Sequence, residues 1–386
     1  MRILKYLVIL LAGMLPLLYN NCIGPGGGGL EPRNDLGSAG GTESGNPDVE
    51  VASLPKIFLI SDYPKLPATY RSLTVGPGRD FAECQDAIDA AQPGDEIVIN
   101  AGFTCQPIQL KAKGTSDLYI VIRTSELSGL RPEGLRVQKS DARFLAAIET
   151  PNGDPAIRAA PYAHHYHLVG LEIRRANSAR SDLTTLVDLG NNQLTDISQI
   201  PHDIVIARSW IHGNGNSNMK RAVKLNSGAT SIVDSIIDGV HDTGSYAMAI
   251  HGWTLGKGPF KIVNNELSSN GYTFLLGGSP TPLEEIVPSD IEFRNNYVHK
   301  DMSLRGGLRG RLRPHLTLSS VQRILIIGNL FESGWQDDGD LGYAISFFPR
   351  SNGGDGQGAG QSIESSNVVT HGTGNILNYV KIQRNS

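Results

Sequence analysis

Five short segments of the chain carry the same order of apolar and polar positions. They are IVIARSWIH (204–212), TSIVDSIID (230–238), FKIVNNELS (260–268), IEFRNNYVH (291–299) and ILIIGNLFE (324–332). With Ser209, Ser235, Asn265, Asn296 and Asn329 taken as equivalent, successive repeats are 26, 30, 31 and 33 residues long. Three residues before this reference position stand Ile206, Ile232, Ile262, Phe293 and Ile326, and two after it stand Ile211, Ile237, Leu267, Val298 and Phe331. Alternation along a strand points each apolar column inward, and the break in phase between the columns requires a tight bend at the reference. A constant core with loops of varying length predicts stacked coils of one solenoid. Asn tolerates the left-handed backbone such a bend needs, and stacked amides can bond along the stack, so the file Asn265, Asn296, Asn329 is read as structural. Strands expected at Tyr119–Arg123 and His167–Ile173 extend the stack toward the N-terminus.

Ahead of the coils, Phe81, Cys84, Ala87, Ile88 and Ala91 recur at helical spacing, and Gln92-Pro93-Gly94-Asp95 ends the helix they predict. Glu96–Ile99 then reads as a strand. A solenoid end exposes apolar interior, and a lone helix before the first strand would cover it. The order helix, AAQPGD, strand, AGFT resembles the entrance of pectin-lyase-like right-handed β-helix proteins. That resemblance runs from Arg79 to Phe348, through AHHYHLVGLEI (163–173), KRAVKLN (220–226), GPFKIVNN (258–265), VPSDIEFRNN (287–296) and GNLFESGW (328–335), and is to exported bacterial members of the class. It implies an all-β, right-handed parallel β-helix with a short N-terminal capping helix. Enzymes of the class include pectate lyases, which use calcium and a basic residue, and polygalacturonases, which use several Asp. The resemblance therefore implies an extended polysaccharide as partner, with lyase or hydrolase chemistry on acidic glycans. Neither the Asn-Thr-Asp segment of the polygalacturonases nor a lyase-type Arg motif is present, so a non-enzymatic adhesin or structural surface protein is the alternative.

Composition agrees with an all-β chain: 45 Gly accompany 39% hydrophobic residues. The net charge is −4, and Arg2 and Lys5 are the only charges in the first 21 residues. A chain this acidic lacks the clustered Lys and Arg that bind phosphate backbones, and no nucleic-acid partner is expected. The one basic cluster, RGGLRGRLR (305–313), is read as a solvated loop. Arg2 and Lys5 precede an apolar run from Tyr6 to Leu18, which predicts a signal peptide over 1–21 and export. Cys22 follows as a candidate lipidation site, 22–54 as a Gly-rich tether and 55–386 as the β-helix domain, with membrane contact only through the anchor. The outcome would be an outer-membrane or cell-surface lipoprotein, or a secreted protein. YVKIQRNS (379–386) resembles the first half of another coil with no cap after it, so either a partner covers that end or the chain is truncated. In an oxidising compartment Cys84 and Cys105 form a disulfide or remain two buried thiols.

Candidate chemistry follows from the register. Three residues after the reference stand His212, Asp238, Ser268, His299 and Glu332, which predicts a polar stripe on the outer face. Asp238 and Glu332 lie three coils apart, about 14 Å, which exceeds the roughly 6.5–9.5 Å of an inverting glycosidase pair. Asp238 beside His212, with His241 and Asp242 close in sequence, is the best catalytic candidate. His299, Glu332, Trp335 and Trp253 are candidate sugar contacts, Trp253 within His251-Gly252-Trp253. Asp337, Asp338 and Asp340 are candidate calcium ligands. Three cysteines without clustered His give no transition-metal site. Lys220, Arg221 and Arg294 qualify for β-elimination of uronates, which needs a base and a cation facing the carboxylate.

Overall fold

The computed structural model describes residues 54–253, 255–278, 283, 286–305, 312–319, 321–335 and 343–347, together with the backbone of 377–383. Cys22, the segment expected to be a signal peptide and almost all of the expected tether lie outside the described residues, as do Asp337, Asp338 and Asp340.

Three sheets, all paired in parallel, wind into a right-handed β-helix. The longest has ten strands, from Ser72–Val75 to Leu377–Gln383. A second sheet of eight strands runs from Thr104–Cys105 to Leu330–Glu332, and a third, also of eight, from Ile108–Leu110 to Ile345–Phe347. The expected register holds at both apolar columns. Ile206, Ile232, Ile262, Phe293 and Ile326 pair in series, as do Ile211, Ile237, Leu267, Val298 and Phe331. All but Phe331 are buried, each stabilising the stack by roughly 1.5–3 kcal/mol. Phe293 packs at 5.0 Å on Phe274 from the third sheet, so the core is shared between sheets.

The bend differs from the expectation in one detail. The left-handed residue lies one position before the reference, at Arg208, Asp234, Asn264, Asn295 and Gly328, with φ of 44°, 55°, 57°, 55° and 67°. The reference side chain instead turns inward and closes a ladder. Ser209 N–H donates to Ser235 Oγ (3.1 Å), Ser235 N–H to Asn265 Oδ1 (3.0 Å), Asn265 N–H to Asn296 Oδ1 and Asn296 N–H to Asn329 Oδ1 (both 2.9 Å). A second left-handed column opens the long-sheet strands at His165, Asp203, Ala229, Asp290 and Arg323. Each such strand is thus set between two reversals of backbone hand.

At the N-terminal end Ser72–Val75, a strand the apolar pattern did not predict, precedes the helix and pairs with Glu96–Ile99. The helix spans Cys84–Ala90 and buries Cys84, Ala87 and Ile88. Cys84 is disulfide-bonded to Cys105, the last residue of the first strand in the second sheet. A strap before Ser72 crosses the outside of the long sheet. Lys56 N–H meets Asp290, the Leu59 carbonyl accepts from Lys261 Nζ, and Tyr63 donates to Glu96. Tyr63 and Leu66 cover Val121, Val169 and Val205, which otherwise would form an exposed apolar face.

Candidate functional site

The third sheet carries a cleft of about 620 Å³ on its outer face. Its floor is a row in which His251, Leu275, Thr317 and Ser346 pair in register from coil to coil. Alternation along these strands sends Val223, Ile250, Phe274 and Leu316 to the core and leaves the floor row facing out. Three cations line the cleft, Lys220, Arg221 and Arg313, with four aromatic rings, Tyr246, Trp253, Tyr272 and Tyr343. Among the described residues no carboxylate lines it.

Electrostatics at the floor follow from burial. Arg221 is 8% exposed, and its Nε–H donates to His251 Nδ1 at 3.1 Å while its guanidinium lies 5.6 Å from the Trp253 ring. Burial, together with Arg221, Lys224 and Lys220, pushes the His251 imidazole well below its ordinary value, so the ring is neutral. Because Nδ1 accepts from arginine, the ring proton sits on Nε2. That Nε2 is buried without a protein partner, and so is Thr317 Oγ1 two coils further along the same floor. An unsatisfied buried donor costs about 1–3 kcal/mol, recovered when a ligand oxygen meets it. At the wall, Arg313 donates to Tyr246 Oη at 2.7 Å and lies 4.3 Å over its ring. The Lys220 ammonium has no ion pair among the described residues.

The expected stripe lies on a different face, the second sheet, and forms closed pairs. His212 and Asp238 are register neighbours but do not bond to each other. His212 Nε2 meets Glu172 Oε1 at 2.9 Å and its Nδ1 meets the Gly213 carbonyl. Asp238 accepts from Trp210 Nε1 at 2.9 Å and pairs with Lys139. Three coils on, the same arrangement recurs: His299 meets Glu266 at 3.2 Å, and Tyr297 donates to Glu332 at 2.8 Å. His212 stacks on Trp210 as His299 does on Tyr297. Burial works against the Glu172 anion, but His212 and Arg174 outweigh it and hold the carboxyl below the usual range. The bond from His299 does the same for Glu266. Between the two modules the register slips after Ile237, where Gly239 at φ 64° carries an extra residue, so Asp238 and Ser268 do not stack as one unbroken column.

His241 and Asp242 are buried beyond that bulge. Asp242 caps its own turn by accepting from the N–H groups of Gly244 and Ser245. Trp253 stands in the cleft, whereas Trp335 is half-buried elsewhere, at the end of the coil that contains Glu332. Arg294 pairs with Glu292 on the long sheet. Arg313, the last residue of the basic cluster read as a solvated loop, enters the cleft. Tyr246, Tyr272, Thr317 and Tyr343 also line it and were not anticipated, since they come from separate coils. The expectation of no His cluster is corrected as well: His165, His202 and Asp203 each bring one ligand atom within 4.8 Å of the others. Its signal was the run AHHYH.

No family model matches the chain. No curated protein matches it. Two solved structures are similar in fold. An alginate lyase from Paenibacillus sp. str. FPU-7 aligns with a TM-score of 0.35 at 13% identity, over 72% of this chain and 98% of that one. The pectate lyase Pel9A aligns with a TM-score of 0.42 at 12% identity, over 73% of this chain and 77% of that one.

Proposed function

We propose that the protein is a polysaccharide-binding β-helix that holds an acidic glycan along the third-sheet cleft and cleaves it by β-elimination. The observation that carries this reading is the cleft lining: three basic side chains and four aromatic rings, with no carboxylate among the described residues, over a floor with two polar atoms unpartnered among them. Aromatic faces suit sugar rings, and a row repeating once per coil suits a chain of repeating units. Arg221 would face the uronate carboxylate and stabilise the charge that develops there as the C5 proton leaves. Lys220 would take that proton as the base. The C4–O bond then breaks, its oxygen leaves protonated by water, and a C4–C5 double bond remains in the product. The same reading places the protein outside the cell, secreted or held through acylated Cys22.

The test is incubation with polygalacturonate, alginate and glycosaminoglycans, with and without calcium, following ultraviolet absorbance of the unsaturated uronate. Turnover on an acidic polymer and none on neutral glucans is expected. Binding without turnover, unchanged in Lys220→Ala, would instead identify an adhesin. Binding to no member of the panel would end the proposal. Metabolic labelling with palmitate tests the anchor, and absence of label would remove Cys22 from it.

A further inference from the structure

We infer that His165, His202 and Asp203 bind a first-row divalent metal ion of the zinc type, stapling two adjacent coils of the long sheet. The residues come from neighbouring strands paired at His164 and His202. Residues 176–201 intervene between those coils, so the staple would close a long connection. His165 and Asp203 occupy equivalent places in the second left-handed column, at φ 56° and 51°. That conformation turns both side chains out of the strand alternation and toward the same point outside the sheet.

Hydrogen bonds set the ring tautomers. His164 Nε2 lies 2.8 Å from the Gly114 carbonyl, which can only accept, so Nε2 carries the proton and Nδ1 the lone pair. His165 Nδ1 lies 2.7 Å from that Nδ1 and therefore donates to it, which leaves the lone pair of His165 on Nε2. His202 Nδ1 lies 2.6 Å from Asp203 Oδ2, so these two donor atoms already stand side by side, and an ion seated there would replace the proton between them. Two imidazoles and one carboxylate form a donor set of the zinc kind, and the bond from His165 Nδ1 to His164 is the sort of support such sites use to orient a ligand. His164 stacks on His202 at 5.1 Å with 5° between planes and holds that ring in place. The side chains of His202 and Asp203 are 36% and 32% exposed, so an ion can enter and a water can complete its shell. The cluster lies apart from the cleft residues and does not depend on the proposed glycan chemistry.

The test uses the full, tag-free chain stripped with chelator and titrated with Zn²⁺ against a competing chromogenic chelator. One ion per chain is expected. His202→Gln and His165→Asn should each weaken binding on the order of 100-fold, the scale expected when a ligand or its support is lost. Asn is chosen at 165 because it tolerates the left-handed backbone, so that variant is expected to fold. Lys220→Ala should leave Zn²⁺ affinity unchanged. Should a variant fail to fold, Co²⁺ added to the wild-type chain decides: visible d–d bands support the site. Absence of those bands, absence of stoichiometric Zn²⁺ binding, or binding unaltered in both variants would each overturn it.

Discussion

Lys220 and Arg313 differ in what the cleft asks of them. Lys220 has no ion pair among the described residues and stands at the edge of a floor already anchored by Arg221. If it takes the uronate proton, Lys220→Ala should lower turnover about 10²- to 10⁴-fold, the usual contribution of a positioned base, with glycan affinity changed only a few-fold. Arg313, by contrast, holds Tyr246 through a hydrogen bond and a cation–π contact and so shapes the wall. Arg313→Lys keeps the charge but loses the planar fork, and KM should rise about tenfold with little change in kcat. Steady-state kinetics on the preferred polymer separate the two outcomes. Loss of kcat in Arg313→Lys with full activity in Lys220→Ala would reverse the assigned roles.

The coil bend is the element on which the stack depends, and neighbouring asparagines there do different work. Asn296 Oδ1 accepts from both the backbone and the side chain of Asn265, and its Nδ2 donates to the Ile262 carbonyl at 2.9 Å. Asn296→Ala leaves those groups unsatisfied in the interior and should cost about 2–4 kcal/mol in urea unfolding. Asn295 is exposed at φ 55° and needs only the left-handed backbone. Asn295→Gly should therefore stay within about 0.5 kcal/mol of wild type, whereas Asn295→Val should lose about 1–2 kcal/mol. Equal losses at both positions would refute the division. The apolar columns were legible because every coil repeats them, and so was the stacking of the amides. Which member of an Asn-Asn pair takes the left-handed turn was not, since both residues tolerate it. The stripe was legible as a set of residues but not as closed pairs, because Glu172 and Glu266, the partners of its histidines, sit two positions earlier in their coils than the stripe itself. The cleft stayed hidden for a related reason: its lining comes from separate coils, and Arg313 reads as the tail of an ordinary basic loop.

At the scale of the molecule, His167, His251 and His315 are buried in the stack and held in neutral form. Burial pushes His167 down to about 3, with Arg208 adding to it, and His315 down to about 2, with Lys300 and His299 adding. His251 in the cleft floor is likewise held well below its ordinary value by burial. In the unfolded chain each titrates at about 6.5. Between pH 6.5 and about 3 the unfolded state therefore binds protons that the folded state refuses, and stability must fall as pH falls through that window. Each such histidine contributes a slope of up to about 1.4 kcal/mol per pH unit. The stabilisation is complete above pH 6.5, and loss begins before the carboxylates of Asp95 and Asp290, which their arginine partners hold below the usual range, start to protonate. Urea unfolding at pH 7.5, 6 and 5, with chelator present to keep metal out of the His165 cluster, should show the midpoint falling steadily across the series. His167 packs against Tyr63 of the strap at 5.6 Å, and its Nε2 has no protein partner, so Gln can replace it without opening a bonded network. His167→Gln removes one titrating group and should flatten the slope by about a third, whatever its effect on stability at pH 7.5. A midpoint that does not move between pH 7.5 and 5 would mean that these rings accept protons in place, and that the stack opens around them more readily than its packing implies.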